Sequence, residues 1–227
     1  MTPLTVAVVS GGMDSVAMAY LLKQDGHRLH LLSVDYGQRH RKEIDFAARA
    51  ATALGAVHTI ADLSAIAALL AGSALTSVDV AVPDGHYAEA SMRTTVVPNR
   101  NAIMLNVAAG LAVSIGADSI ATGVHAGDHF IYPDCRPEFI AALEQSLRLG
   151  NDGFAVPGFR VLAPFLHLSK AGIVTAAEDA GVPWADTWSC YRGGDVHCGT
   201  CGTCTERREA FDLAGVADPT SYATVPA

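Results

Sequence analysis

Apolar residues come in short runs that alternate with polar, glycine-bearing loops and with stretches of helical spacing. Leu4, Val6, Val8 and Val9 have few polar neighbours, the mark of a strand buried on both faces. Residues 29–34 repeat that composition, and shorter runs at 57–61, 118–124 and 160–166 predict further strands. Helices are predicted over 16–24, 41–54, 63–71, 101–115 and 137–149, followed by one that Ser169 caps and that contains Lys170. Pro98 ends the extended entry to the 101–115 helix, and Asn101 can cap it. Repeated strand, loop and helix predict an α/β fold, a Rossmann-like parallel sheet flanked by helices with ligands beyond the carboxyl ends of its strands. Periodicity fails over 72–92, which carries Pro83 and Gly85. A loop of that length in a compact domain is expected to be a lid that orders on substrate binding, or a plain insertion.

Composition narrows the possibilities. With 227 residues, half of them hydrophobic, residues 1–227 suit one domain with a sizeable core. A net charge of −8 and a pI near 5.5 argue against a nucleic-acid surface and favour a small-molecule substrate. The longest apolar stretch, 102–117, is broken by Asn106, Gly110 and Ser114 and is too short for a bilayer. No basic region precedes the apolar run after Met1-Thr2-Pro3, so a cytoplasmic enzyme with no membrane partner is expected. Five cysteines, four of them near the C-terminus, point to metal or redox chemistry before disulfides.

The stretch between the first strand and first helix carries the most chemistry: Ser10-Gly11-Gly12-Met13-Asp14-Ser15. Glycines permit a tight turn and close approach of a phosphate, and Asp14 or Ser15 can cap a helix whose free N–H groups suit an anion. The hexapeptide lacks the Lys of the Walker loop and the third Gly of the dinucleotide fingerprint. It resembles the S-G-G-x-D-S signature of the PP-loop ATP pyrophosphatases, which cut ATP between the α and β phosphates and adenylate a carboxyl or carbonyl oxygen. That resemblance implies a PP-loop fold, similar to adenine nucleotide alpha hydrolases. It implies ATP with Mg²⁺ against Val9, Ser10, Gly11, Gly12, Met13, Asp14, Ser15, Val16, Ala17, Met18 and Ala19.

Other loops add candidates. Arg100 sits at a predicted helix start, where it opposes the dipole and so suggests a phosphate or carboxylate clamp. Lys170 faces the same conflict, with a phosphate partner or a plain surface position as the two solutions. Asp128 and Asp134 suit Mg²⁺ or substrate, or in the case of Asp134 a helix cap. Cys190, Cys198, Cys201 and Cys204 form C-x7-C-x2-C-x2-C, with Gly199 and Gly202 in the turns. Four thiolates suit one tetrahedral Zn²⁺ in a closed, structural site, while an iron–sulfur cluster or a redox pair uses the same residue types. Cys135 stands apart as a core residue or a substrate-site thiol.

Taken in order, S-G-G-M-D-S at Ser10, D-Y-G-Q-R-H at Asp35, V-P-N-R-N at Val97, Y-P-D-C-R-P-E-F at Tyr132, T-W-S-C-Y at Thr187, C-G-T-C-G-T-C at Cys198 and A-G-V-A-D-P-T-S-Y ending at Tyr222 resemble the 7-cyano-7-deazaguanine synthase family over nearly the whole chain. The resemblance implies ATP-dependent conversion of 7-carboxy-7-deazaguanine and ammonia to 7-cyano-7-deazaguanine, preQ0, through adenylated acid and amide. It implies a homodimer, and one zinc on the four cysteines in a segment at about 187–210. Asp14, Arg100 and Lys170 are the catalytic candidates it suggests, and Tyr36, Gln38, Arg39, His40, Asn101, Asp128, Asp134 and Arg136 the substrate contacts. One departure stands out: His129-Phe130-Ile131 replaces a small, glycine-containing stretch, which suggests a relative that stops at the amide. A tRNA thiolase and a non-catalytic zinc module are the rival readings.

Overall fold

The computed structural model describes residues 2–70, 72–77, 79–86 and 90–224. Strands β1 (Leu4–Val8), β2 (Arg28–Asp35), β3 (Val57–Asp62), β4 (Ser119–Ala121) and β5 (Arg160–Leu162) form one sheet in the order β3-β2-β1-β4-β5. Every pairing is parallel. The expected α/β sheet is therefore present. The chain leaves β1 toward β2 on one side and reaches β4 on the other, so a crevice opens at the carboxyl ends of β1 and β4, where open α/β sheets bind ligands.

Alternation along β1 serves two cores. Val6 and Val8 pack with Leu32 and Val34 of β2 against α3 (Arg100–Ile115) and α4 (Pro137–Gly150). Ala7 and Val9 face α1 (Met13–Gln24), α2 (Glu43–Leu54) and α5 (Lys170–Ala176). Helix α6 (Gly202–Ala214) packs Ala210 and Phe211 on Met13 and Val174. No helix among the described residues is long and apolar enough to cross a membrane.

Several local expectations change. Residues 63–71 were expected as a regular helix, but Ser64–Leu70 is 3₁₀, and Ala71 lies outside the described residues. Within 72–92, Val78 and residues 87–89 lie outside them too. The described remainder buries Ala74, Leu75, Val82 and Met92, so this stretch is anchored in the core instead of standing open as a lid. Neither Asp14 nor Ser15 caps α1: Gly12 is the N-cap, and no side chain accepts from the free N–H groups of the first turn as a cap. Asn101 does not cap α3 either; it lies inside the helix, after the N-cap Asn99 in the left-handed region (φ 57). Ser169 caps α5 as expected, its Oγ accepting from Gly172 N at 3.1 Å.

Candidate active site

The loop after β1 is held by its own serines. Ser10 Oγ accepts from Gly12 N at 3.2 Å, and Ser15 Oγ donates to Gly12 O at 3.1 Å. Gly11 is required for packing: at φ 101 an added Cβ would lie 2.0 Å from the carbonyl oxygen of Glu43. Its own carbonyl accepts from Trp188 N at 2.9 Å, so α2 and the cysteine-bearing segment clamp the turn from both sides. Gly123, just past β4, lets that chain run against α1, since a Cβ there would sit 3.2 Å from the backbone of Asp14. With no side-chain cap, the first-turn N–H groups of α1 face the crevice as an anion site.

Charges converge beside this loop. Lys170 Nζ, buried, lies 2.5 Å from Glu206 Oε2 and 3.3 Å from Asp14 Oδ2. His125 Nε2 lies 3.5 Å from Asp128 Oδ2 and 3.8 Å from Asp14 Oδ2, while its Nδ1 accepts from Gly127 N at 3.1 Å. Burial works against the Lys170 ammonium, but Asp14, Glu206 and Asp128 together outweigh it and hold its pKa above the ordinary lysine value. Burial likewise pushes the Glu206 carboxyl up, against the pull of Lys170. Asp14 Oδ1 is buried with no hydrogen-bond partner, a free carboxylate oxygen of the kind a hard cation takes.

The far wall of the crevice is built differently. Arg100 is partly buried among Tyr36, Tyr132 and Tyr191; it stands 5.9 Å from the centre of the Tyr132 ring, and its Nε is buried with no partner. Glu43, the first residue of α2, lies 3.6 Å from His40 Nε2 and accepts from Gln38 Nε2 at 3.4 Å. Burial raises the Glu43 carboxyl to about 8 against the opposing pull of Arg100 and Gln38, so it is largely protonated at neutral pH. Burial, with Arg100, lowers His40 to about 3, which leaves a neutral imidazole with an unpartnered Nδ1. The two walls line one cleft, shared by the Ser10–Ser15 loop, Asp14 and Lys170 on one side and Tyr36, His40 and Arg100 on the other.

The four cysteines flank this cleft. Their sulfurs lie within 4.8 Å of one another, and tetrahedral bonds of about 2.3 Å fit inside that span. Cys201 is the N-cap of α6 and Cys204 lies in its first turn. Arg207, fully buried and three residues past Cys204 on α6, donates to Thr187 Oγ1 (2.6 Å), Trp184 O (2.8 Å) and Asp218 (3.3 Å). These bonds tie α6 to the segment that touches Gly11.

The residues singled out in the sequence divide between cleft and scaffold. Val9, Ser10, Gly12, Met13, Asp14, Ser15, Tyr36, His40, Arg100, Asn101, Asp128 and Lys170 line the cleft. Val16, Ala17, Met18 and Ala19 are fully buried in the core on α1 and do not line it. Gln38 braces the Tyr36 turn, accepting from Tyr36 N at 2.9 Å, and Arg39 holds the 72–82 stretch through Val80 O at 3.0 Å. Asp134 accepts from Asn101 N at 3.2 Å, and so serves the start of α3. Arg136 donates to His129 O at 2.9 Å. None of Gln38, Arg39, Asp134 and Arg136 lines the cleft, and neither do His129, Phe130 and Ile131. Cys135 does, beside Asn101 Nδ2 at 3.2 Å. Sequence reasoning missed Glu43, His125, Tyr132, Tyr191 and Glu206. The hint for Glu206 was an acid two residues after a ligand-type cysteine, which no spacing rule connects to Lys170.

The family described as "Queuosine biosynthesis protein QueC" matches residues 4–215. A protein of Ruegeria pomeroyi named 7-cyano-7-deazaguanine synthase is 59% identical over 96% of this chain and 94% of its own length. One from Rhizobium leguminosarum bv. trifolii with the same name is 58% identical over 96% of this chain and 91% of its own. Among solved structures, the U34-tRNA thiolase NcsA of Methanococcus maripaludis, with its [4Fe-4S] cluster, superposes with a TM-score of 0.52 at 17% identity, covering 93% of this chain and 65% of that one. A 4-thiouridine synthetase in complex with RNA and ATP gives 0.51 at 15% identity over 94% of this chain and 50% of that one. At those identities the likeness is one of fold.

Proposed function

The chain belongs to the QueC family of queuosine biosynthesis proteins, and we propose that its cleft converts 7-carboxy-7-deazaguanine and ammonia to 7-cyano-7-deazaguanine at the expense of ATP. The observation that carries this is the meeting, in one cleft at the β1/β4 crevice, of the S-G-G-M-D-S loop, the Lys170 cluster and the Arg100 wall. A carboxylate resists ammonia because oxide would have to leave; transfer of its oxygen to the α phosphorus makes AMP the leaving group. Ammonia then gives the amide, and a second adenylation, on the amide oxygen, allows elimination to the nitrile.

Each residue role follows from position. The loop Ser10–Ser15 with the first turn of α1 receives the pyrophosphate, and Lys170 meets the charge that develops there. Arg100, whose Nε lacks a partner, takes the substrate carboxylate among Tyr36, Tyr132 and Tyr191. His40 and Asn101 lie beside it as further substrate contacts. Asp14 and Asp128 would hold Mg²⁺, which neutralises phosphate charge when bound. Cys190, Cys198, Cys201 and Cys204 would hold one Zn²⁺ as a closed site that fixes the 187–210 segment. Iron and sulfide in an elemental analysis would overturn that assignment. The net charge of −8 supports a small-molecule substrate over tRNA. A single domain over residues 1–227, a homodimer and a cytoplasmic setting complete the proposal, on family likeness and composition.

The test is incubation with 7-carboxy-7-deazaguanine, ammonium and Mg-ATP, followed by mass spectrometry. Nitrile with AMP and pyrophosphate is expected. ADP as the nucleotide product, or no ATP consumption, would overturn the proposal, and amide as the end product would mark the shorter reaction.

A further inference from the structure

We propose that Glu206 is a positioning residue of the ATP end: carried on the helix that starts at the cysteine cluster, it holds the Lys170 ammonium against Asp14 and the S-G-G-M-D-S loop. The inference rests on the reading of that loop as the ATP site. Lys170 opens α5, a helix of 7 residues, and a buried ammonium on a flexible four-carbon stem needs fixed partners to have one position. Of the two acids, Glu206 is the nearer, at 2.5 Å against 3.3 Å to Asp14. Asp14 also faces His125 and has an oxygen free for a cation, so it is the partner that a ligand would claim. Glu206 does not line the cleft and is 13% exposed, so it acts on ATP only through Lys170.

What makes Glu206 a rigid holder is its place on α6. Cys204, two residues earlier, is drawn into the thiol cluster. Arg207, the next residue, is fixed by Thr187, Trp184 and Asp218. A carboxylate between two such anchors cannot swing away, and the cysteine-bearing segment becomes part of the ATP site instead of a remote staple.

The experiment is a double-mutant cycle in the full-length, metal-loaded enzyme: Glu206→Gln, Lys170→Gln and both, with Glu206→Asp as the conservative control. kcat and KM for ATP and for the carboxylate substrate are measured, with metal content and Tm for each protein. Glu206→Gln should lower kcat/KM for ATP about tenfold or more, leave the carboxylate KM within about twofold and keep the metal, while Glu206→Asp recovers part of the loss. In the Lys170→Gln background, Glu206→Gln should add no further loss. Losses that multiply, a loss confined to the carboxylate KM, or metal lost from both Glu206 variants would overturn the inference. Should the parent enzyme make no AMP, the reading of the function fails, and equilibrium binding of Mg-ATP then decides this one. Binding weakened by Glu206→Gln in the parent but not in Lys170→Gln supports it, and unchanged binding overturns it.

Discussion

Lys170, buried, and Arg100, partly buried, are cations on the wall of one cleft, yet acids surround the first and phenols the second. Asp14, Glu206 and Asp128 raise the Lys170 pKa above its ordinary value. Around Arg100 stand Tyr36, Tyr132 and Tyr191, and the nearby acid, Glu43, is largely protonated at neutral pH because burial lifts it to about 8. The Lys170 end is thus assembled before any ligand arrives, with more acid than base, as suits a nucleotide that brings its own cation. The Arg100 end holds a charge with an unpartnered Nε, which an anionic ligand would complete. A charge already paired with acids positions, whereas one with a donor left over selects.

Variants at the two ends should separate. Asp14→Ala removes the carboxylate shared by Lys170 and His125, and kcat/KM for ATP should fall by ~10²–10³-fold with the fold intact by circular dichroism. Arg100→Gln should raise the KM of the carboxylate substrate by ~10–100-fold, with little change in the KM for ATP. Offered the neutral amide as substrate, the same variant should lose less, because no anion needs the guanidinium. Equal losses on acid and amide would erase the contrast between the ends.

Glu43 gives a smaller effect with a definite sign. Its carboxyl rises from 4.5 unfolded to about 8 folded, so its contribution to stability is complete below 4.5 and is lost as pH rises through 8. Urea midpoints measured at pH 5 and pH 9 should therefore show Glu43→Gln gaining on the parent as pH rises. Parallel behaviour would mean that Glu43 is ionised in the folded protein. The smallest effect is expected at Phe130, exposed and outside the cleft: Phe130→Gly should change turnover less than about twofold and leave the product a nitrile. A switch to amide in that variant would restore weight to the His129-Phe130-Ile131 departure.

Much of this was legible because it is local. The buried run of β1, the turn at Gly11 and the four-cysteine spacing each declare themselves within about fifteen residues, a span over which propensity and ligand geometry operate. The charge conflict at Lys170 was legible as well, but its solution was not, since Glu206 lies 36 residues on and meets it only when α5 and α6 pack. Asp134 read equally as a metal or substrate contact or as the cap of the helix that follows it; Arg136 is the N-cap of that helix, and Asp134 instead accepts from Asn101 N in α3. Gly11 looked like a phosphate glycine, although the closest constraint on it is the backbone of α2. The 72–92 stretch reads as a lid because its apolar residues follow no sustained period, yet Leu75 and Met92 enter the core on the α3 side of the sheet and Ala74 and Val82 the cluster beside the cysteines.

The central claim is that the cleft activates a carboxylate by adenylation and then does the same to the amide. The direct measurement uses substrate with both carboxylate oxygens labelled with oxygen-18, followed by mass spectrometry of nitrile, AMP and phosphate. If each oxygen attacks the α phosphorus and leaves on the nucleotide, the nitrile carries no label and two AMP molecules form per nitrile, each with one labelled oxygen. Label in inorganic phosphate, or AMP without label, would contradict the account even if the nitrile is made.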